Sequence, residues 1–219
     1  VAELKEILNT SESTIRRDII TLDKEGRLTK VFGGAIALHP AQIVNKELSM
    51  VQKQELQTTE KQAIARYAAS LIEPDDCVYL DAGTTTGWMI EYIRQEKATY
   101  ITNALSHAKR LADKGFNVIL IGGEPKSSTD AIVGGEAVLN LQKYHFSKGF
   151  FGVNGVDRLS GFTTPDVKEA VVKQAAVKNT QPAHRYFLTT SSKFGEVYAV
   201  TFAGFEGGTI LTEDNVSEV

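Results

Sequence analysis

Cysteine is nearly missing: Cys77 stands alone in 219 residues, which excludes an internal disulfide. Its place in the apolar run of residues 77–80 predicts a buried thiol, in keeping with a reducing compartment. No apolar stretch reaches eighteen residues and no charged-then-apolar leader opens the chain, so neither a membrane span nor a signal peptide is visible and a cytoplasmic protein without a membrane partner is expected. The histidines His39, His107, His145 and His184 are scattered without ligand spacing; no metal and no other cofactor is expected. Charge of one sign is lacking too, with 24 Lys and Arg against 27 Asp and Glu. A protein coated in basic patches is thereby excluded, and any nucleic-acid contact must come from a local face. There is no internal repeat and no low-complexity tract.

The chain has room for one α/β core and a small second module. Residues 1–8 (VAELKEIL) read as a short amphipathic helix with Leu4, Ile7 and Leu8 on one side. After the turn-favouring Asn9, Thr10 and Ser11, a second helix is predicted over residues 12–25, closed by Gly26. Residues 28–38 read as two strands around Gly33 and Gly34. His39 and Pro40 break this hairpin, and a polar linker is expected over residues 40–58.

From Glu60 the pattern strengthens. Ile64, Tyr67, Ala68, Leu71 and Ile72 fall on one helical face. Strands are predicted over residues 77–80, 99–102, 117–121, 149–153, 186–189 and 209–211, alternating with helical patterns such as residues 105–113 and 166–178. Such alternation predicts an α/β fold with an open, mainly parallel sheet over residues 59–219.

In the second helix Ile15, Ile19 and Leu22 share a face, while Ser13, Arg17 and Thr21 point the opposite way, flanked by Thr14 and Arg16. Guanidinium groups pair with guanine edges or phosphates, and hydroxyls reach phosphate oxygens. Ser11, Ser13, Thr14, Arg16, Arg17 and Thr21 are therefore the candidate DNA contacts on a recognition helix, with Lys30 on the following hairpin as a wing.

SESTIRRDI followed by L-x-K-x-F-G-G-A resembles the winged helix-turn-helix of the DeoR family of bacterial repressors. The resemblance places that domain in residues 1–39. It also implies operator DNA as a partner and, since such helices act in symmetric pairs, a homo-oligomer, dimer or tetramer. The usual first helix of the module is absent from the sequence, so a truncated module is expected.

The stretch LDAGTTT, residues 80–86, follows a strand and opens a helix. Gly83 permits a tight turn, and Thr84, Thr85 and Thr86 offer hydroxyls and backbone N–H groups at a helix N-terminus, where the dipole favours an anion. It is neither a Walker A loop nor a Rossmann fingerprint. Further polar loops follow the other strands, and in an open parallel sheet such loops converge on one crevice. Lys193 is then a candidate to neutralise phosphate. Asp81, Asn103, Asn154 and Asp157 are candidates for sugar hydroxyls, with Gly122, Gly123, Lys168 and Glu169 also near the crevice. In residues 161–166, Pro165 is expected near the first helical position and Asp166 in the first turn.

LDAGTTT, TNAL, GGE, GVNGVD, GFTTPDVKEAVVKQ and SSKFGE together resemble the DeoR sugar-phosphate sensor domain. The resemblance implies a phosphorylated sugar as effector and leans toward the family's fructose-responsive members, which implies fructose 1-phosphate. Such domains look like ribose 5-phosphate isomerase, whose pattern has a phosphate loop, an aspartate pair, a glycine-rich loop leading to a basic glutamate, and a late lysine. Here Asn154 stands for one aspartate and GFTTPD for the glycine-rich loop, with Glu169 at the base position and Asp157 the remaining acid. Proton shuttling needs a base and a second group for the oxygen's proton. A repressor rather than an enzyme is expected, with a phosphosugar isomerase as the alternative.

Overall fold

The structure is a computed structural model that describes residues 1–37, 42–43, 50–206 and 208–213. Of the expected linker, residues 40–41 and 44–49 lie outside the described residues, and residues 50–55, expected as linker, form a helix. The chain divides into two compact units, Val1–Gln42 and Ile43–Val219.

The first unit runs α1 (Ala2–Leu8), α2 (Glu12–Lys24), β1 (Leu28–Val31) and β2 (Gly34–Ala37). Ser11 caps α2 by accepting from the Thr14 N–H at 3.2 Å. Gly26 takes a left-handed φ of 67° just past the helix end, the conformation glycine adopts without steric cost. Ile15 and Ile19 are buried, as the helical spacing predicts. On α1 Leu4 is half-buried, whereas Ile7 and Leu8 are exposed. β1 and β2 pair antiparallel, with Val31 opposite Gly34.

A two-residue strand, β3 (Gln42–Ile43), falls at the division between the units. The second unit continues with α3 (Met50–Glu55), α4 (Thr58–Ser70), β4 (Cys77–Leu80), α5 (Thr84–Tyr92), β5 (Thr99–Thr102), α6 (Leu105–Asp113) and β6 (Asn117–Leu120). A hairpin of β7 (Glu124–Lys126) and β8 (Ala131–Val133) leads to α7 (Gly135–Leu141) and β9 (Lys148–Gly152). Then come β10 (Gly155–Asp157), β11 (Gly161–Thr164), α8 (Val167–Lys178), β12 (Arg185–Leu188), β13 (Glu196–Val197), β14 (Val200–Ala203) and β15 (Thr209–Leu211).

Six strands form one sheet in the order β15-β12-β9-β4-β5-β6, every pair parallel. Val78 and Leu80 point to one face, with Met89, Ile90, Ile64 and Ala68 of α5 and α4. Tyr79 points to the other, with Phe146, Phe151, and Ala170 and Ala176 of α8. Strand alternation thus feeds two cores, one on each side of the sheet. Full burial of a side chain such as Phe150 or Phe151 contributes roughly 1.5–3 kcal/mol.

Four expectations need correction. Tyr67 is 58% exposed; the inward stripe is Ile64, Ala65, Ala68 and Ala69 of α4 with Ile72 just beyond its end, because the alanines at 65 and 69 carry the stripe round to the side away from Tyr67. Cys77 is only half-buried at the start of β4, though burial still pushes its thiol up. Residues 155–164, read as polar loop and helix entry, form the antiparallel hairpin β10–β11, extended by β14. A Cβ on Gly155 would stand 2.3 Å from the Glu196 carbonyl oxygen, so glycine is what lets β13 pass close against this hairpin. Asp166 is the N-cap of α8 itself, accepting from the Glu169 N–H at 2.9 Å, which leaves Pro165 outside the helix.

Candidate functional site

The strand order reverses between β4 and β9: from β4 the chain moves through β5 to β6, and from β9 through β12 to β15. Open α/β sheets bind ligands outside the carboxyl ends of the strands at such a switch point. A crevice lies there, lined by Gly83, Thr84 and Thr85 after β4, by Gly152, Val153 and Asn154 after β9, and by Lys193 after β12. Lys53, Thr129, Glu169 and Lys173 complete its wall.

The loop after β4 is braced from below. Thr86 Oγ1 donates to the carbonyl oxygens of Asp81 at 2.7 Å and Gly83 at 3.0 Å. The buried His107 adds Nε2 at 3.1 Å from the Gly83 oxygen. Burial first, and Arg110 second, hold its pKa at about 4, so the ring is neutral and the proton that donates to Gly83 sits on Nε2. The first N–H groups of α5 have no intrahelical acceptor. Among the described residues the Thr84 and Thr85 hydroxyls hydrogen-bond nothing else. The result is a fixed set of donors at a helix N-terminus, the arrangement that receives an anion.

Cations surround it. Lys193 Nζ donates to the Val153 carbonyl oxygen and forms no ion pair among the described residues. Burial, then the nearby Lys61, Lys53 and Lys173, lower its pKa to about 7. Lys173, one turn beyond Glu169 on α8, donates to Asp81 Oδ2 and, at 3.1 Å, to the Gly152 carbonyl oxygen. Asp81 Oδ2 also accepts from the Gly152 N–H at 3.0 Å. Burial pushes the Asp81 carboxyl up against the opposing pull of Lys173. Glu169 Oε1 accepts from Lys126 Nζ at 3.0 Å and Thr129 Oγ1 at 2.5 Å, which ties the β7–β8 hairpin to α8.

Of the residues picked from sequence, Gly83, Thr84, Thr85, Asn154, Glu169 and Lys193 meet in the crevice. Others do not line it. Asp81 and Thr86 lie beneath, spent on Lys173 and on the backbone. Asn103 Oδ1 accepts from the Ala82 N–H at 2.8 Å, fixing the chain before the loop. Asp157 Oδ1 accepts from the N–H groups of Leu159 and Ser160, which makes it a hairpin-turn residue. Lys168 turns outward to Glu124 at 2.7 Å. Gly122 and Gly123 belong to the approach to β7; a Cβ at Gly123 would stand 2.7 Å from the Val133 carbonyl oxygen, so its glycine serves close packing.

Lys173 was missed, although its spacing of four from Glu169 puts both on one helical face. Lys53 was missed because it falls in a polar stretch with no pattern, and Thr129 because its hairpin is short.

On α2, Arg17 is exposed and forms no ion pair among the described residues, whereas Arg16 reaches back to Glu12 at 2.6 Å. The Ser11 hydroxyl is hydrogen-bonded to those of Ser13 at 2.9 Å and Thr14 at 2.8 Å, and Thr21 Oγ1 donates to the Arg17 carbonyl oxygen. Lys30 is exposed on β1, held by its N–H to Asp23 Oδ1.

A helix-turn-helix with a wing and an α/β unit carrying an anion crevice define a ligand-responsive transcription regulator. Residues 1–41 match the DeoR-like helix-turn-helix domain and residues 56–215 the DeoR C terminal sensor domain. The chain belongs to the DeoR family of transcriptional repressors. It is 44% identical over 215 residues to the HTH-type transcriptional regulator FruR of Bacillus subtilis (strain 168), covering 98% of this chain and 84% of that one. It is 38% identical over 219 residues to the lactose phosphotransferase system repressor of Staphylococcus aureus (strain N315), covering 99% and 85%. Among solved structures, eIF2B delta from Chaetomium thermophilum aligns with a TM-score of 0.52 at 18% identity, over 74% of this chain and 58% of that one. Ribose 5-phosphate isomerase A from Neisseria gonorrhoeae gives 0.45 at 12%, over 66% and 55%. The chain spans little more than half the length of these two structures, and the first of them speaks to the fold alone.

Proposed function

We propose that this protein is an operator-binding repressor, that its crevice receives a phosphorylated sugar, and that occupancy lowers operator affinity. The observation that carries this reading is Lys193: a cation with only a backbone carbonyl for a partner among the described residues, lining the same crevice as the donors at the start of α5. A phosphate answers both. Asn154, Thr129 and Lys173 line the remainder, where sugar hydroxyls would sit. Fructose 1-phosphate is the proposed effector. A relative named for repression of a lactose phosphotransferase system supports both the repression and a sugar-linked signal. Operator symmetry calls for at least a dimer, and binding to operator DNA calls for the cytoplasm.

Turnover is the weaker reading. Glu169 Oε1 is occupied by Lys126 and Thr129, and Asp157 is committed to a turn. Among the described residues the crevice thus lacks the second acid that proton transfer between adjacent carbons requires.

The test is operator binding by the full-length protein at fixed salt, with and without sugar phosphates. Fructose 1-phosphate is expected to weaken it roughly 5- to 150-fold, while Arg17→Ala costs about 1–3 kcal/mol without any sugar. Operator affinity indifferent to every phosphorylated hexose would end the reading.

The depressed Lys193 pKa also gives effector binding a pH profile. Above about 7 the amine of the unliganded protein is mostly neutral, and a phosphate dianion beside it restores its proton. Affinity therefore falls by up to about tenfold per pH unit above 7, while below about 6 the phosphate itself becomes a monoanion. Calorimetry at pH 8 in two buffers of different protonation enthalpy should show uptake of about one proton per site. A flat profile from pH 6 to 9 would remove Lys193 from the phosphate.

A further inference from the structure

The segment through which the chain enters the sensor is built into the crevice wall. Lys53, on α3, lines the crevice together with Thr84, Thr85 and Lys193. Its carbonyl oxygen accepts a hydrogen bond from Nζ of Lys61, an α4 lysine that is 3% exposed. Between the two helices Gln57 holds a left-handed φ of 50°, which a non-glycine residue keeps only where its surroundings fix it. Its Oε1 accepts from Thr190 Oγ1 at 2.7 Å and Ser192 Oγ at 3.0 Å, on the loop that ends in Lys193. Residues 53–61 are thus tied to the loop that presents the crevice's main cation.

Charge sharpens the point. Lys53 and Lys61 both press on Lys193, and Lys53 on Lys61. Bringing a further lysine into this cluster works against like-charge repulsion, and an anion in the crevice turns that repulsion into attraction. A ligand shifts a conformational equilibrium only through contacts that differ between the two states. Lys53 is where such a contact falls on the segment that runs on toward the DNA-binding unit.

We propose that Lys53 is an effector-contacting residue that converts occupancy of the crevice into a repositioning of α3, and that this is the first step by which the sensor acts on operator binding. The proposal rests on the reading of the crevice as a phosphosugar site. Asp81, Lys173 and Glu169 anchor the crevice, but they are held by the sheet and α8; α3 is the wall element next to the chain's entry.

Hydrogen–deuterium exchange on the full-length protein, with fructose 1-phosphate and separately with inorganic phosphate, tests both. Protection is expected in peptides covering 83–86 and 190–193, and also in those covering 50–58. Lys53→Met should lose protection at 50–58 and cut the operator response from roughly 5- to 150-fold to within about twofold; Lys53→Arg, which keeps the charge, should restore both. Protection of 83–86 and 190–193 with no change at 50–58 would overturn the proposal and leave the sensor reading standing. No protection anywhere with either probe would overturn both, and a Lys53→Met protein that responds like its parent would overturn the proposal alone.

Discussion

Lys193→Met is expected to abolish induction: the repressor stays on its operator at effector concentrations that release the parent. Removing one partner of a desolvated charge contact costs about 2–5 kcal/mol, which is roughly thirtyfold to several thousandfold in effector affinity. Stability should move the other way. Burial and the surrounding lysines hold the Lys193 pKa at about 7 against an ordinary 10.5. Below pH 7 the amine is charged in both folded and unfolded chains, and the fold bears the full cost of holding that charge. Between 7 and 10.5 the unfolded chain keeps a proton that the folded one has released, so stability rises with pH through that window. The unliganded Lys193→Met protein, free of this cost, should therefore melt at or above the parent near pH 6, and the difference should close toward pH 10. A thermal-shift series from pH 6 to 10, with and without fructose 1-phosphate, reads both effects. A variant less stable than its parent and still stabilised by the sugar would mean that Lys193 serves the fold and not the ligand.

That opposition of stability and binding explains why some of the site was legible in the sequence and some was not. A lysine after a late strand, a glycine followed by three threonines at a helix start, and an asparagine after a central strand break the local rule of apolar, turn or cap, and so stand out. The parallel strands were legible because Val78, Tyr79 and Leu80, or Phe150 and Phe151, are apolar on both faces. The short hairpins of the sensor unit were not, unlike the β1–β2 hairpin around Gly33 and Gly34. The three-residue strands β7, β8 and β10 carry no period long enough to read. Asp157 was misplaced because an aspartate that receives two backbone N–H groups in a turn looks, in one dimension, like one that receives a sugar hydroxyl. Lys53 could not be found at all, since its role depends on Gln57, Thr190 and Ser192 meeting across more than 130 residues.

Asp81→Asn is expected to be the most destabilising single change in the sensor unit. Lys173 is almost wholly buried, and its counter-charge is Asp81 Oδ2. The substitution keeps size and shape, so the loss is electrostatic: an ammonium group is left in the interior against a neutral amide. Breaking a buried pair from one side costs about 3–5 kcal/mol, because the remaining charge stays desolvated. For a domain of this size each kcal/mol lowers the melting temperature by roughly 2–4 °C, so a fall of about 6–20 °C follows. Effector affinity should fall with it, since Asp81 Oδ2 holds both Lys173 and the Gly152 N–H, and both residues line the crevice wall. The double replacement Asp81→Val with Lys173→Met removes both charges and should recover most of the stability but none of the effector affinity. That combination separates the two roles. Stability restored with binding still lost identifies the pair as a positioning device retained for the ligand, whereas an Asp81→Asn protein that melts with its parent would show that Lys173 finds its compensation elsewhere and that the strand alternation placing Asp81 beneath the crevice has no energetic consequence.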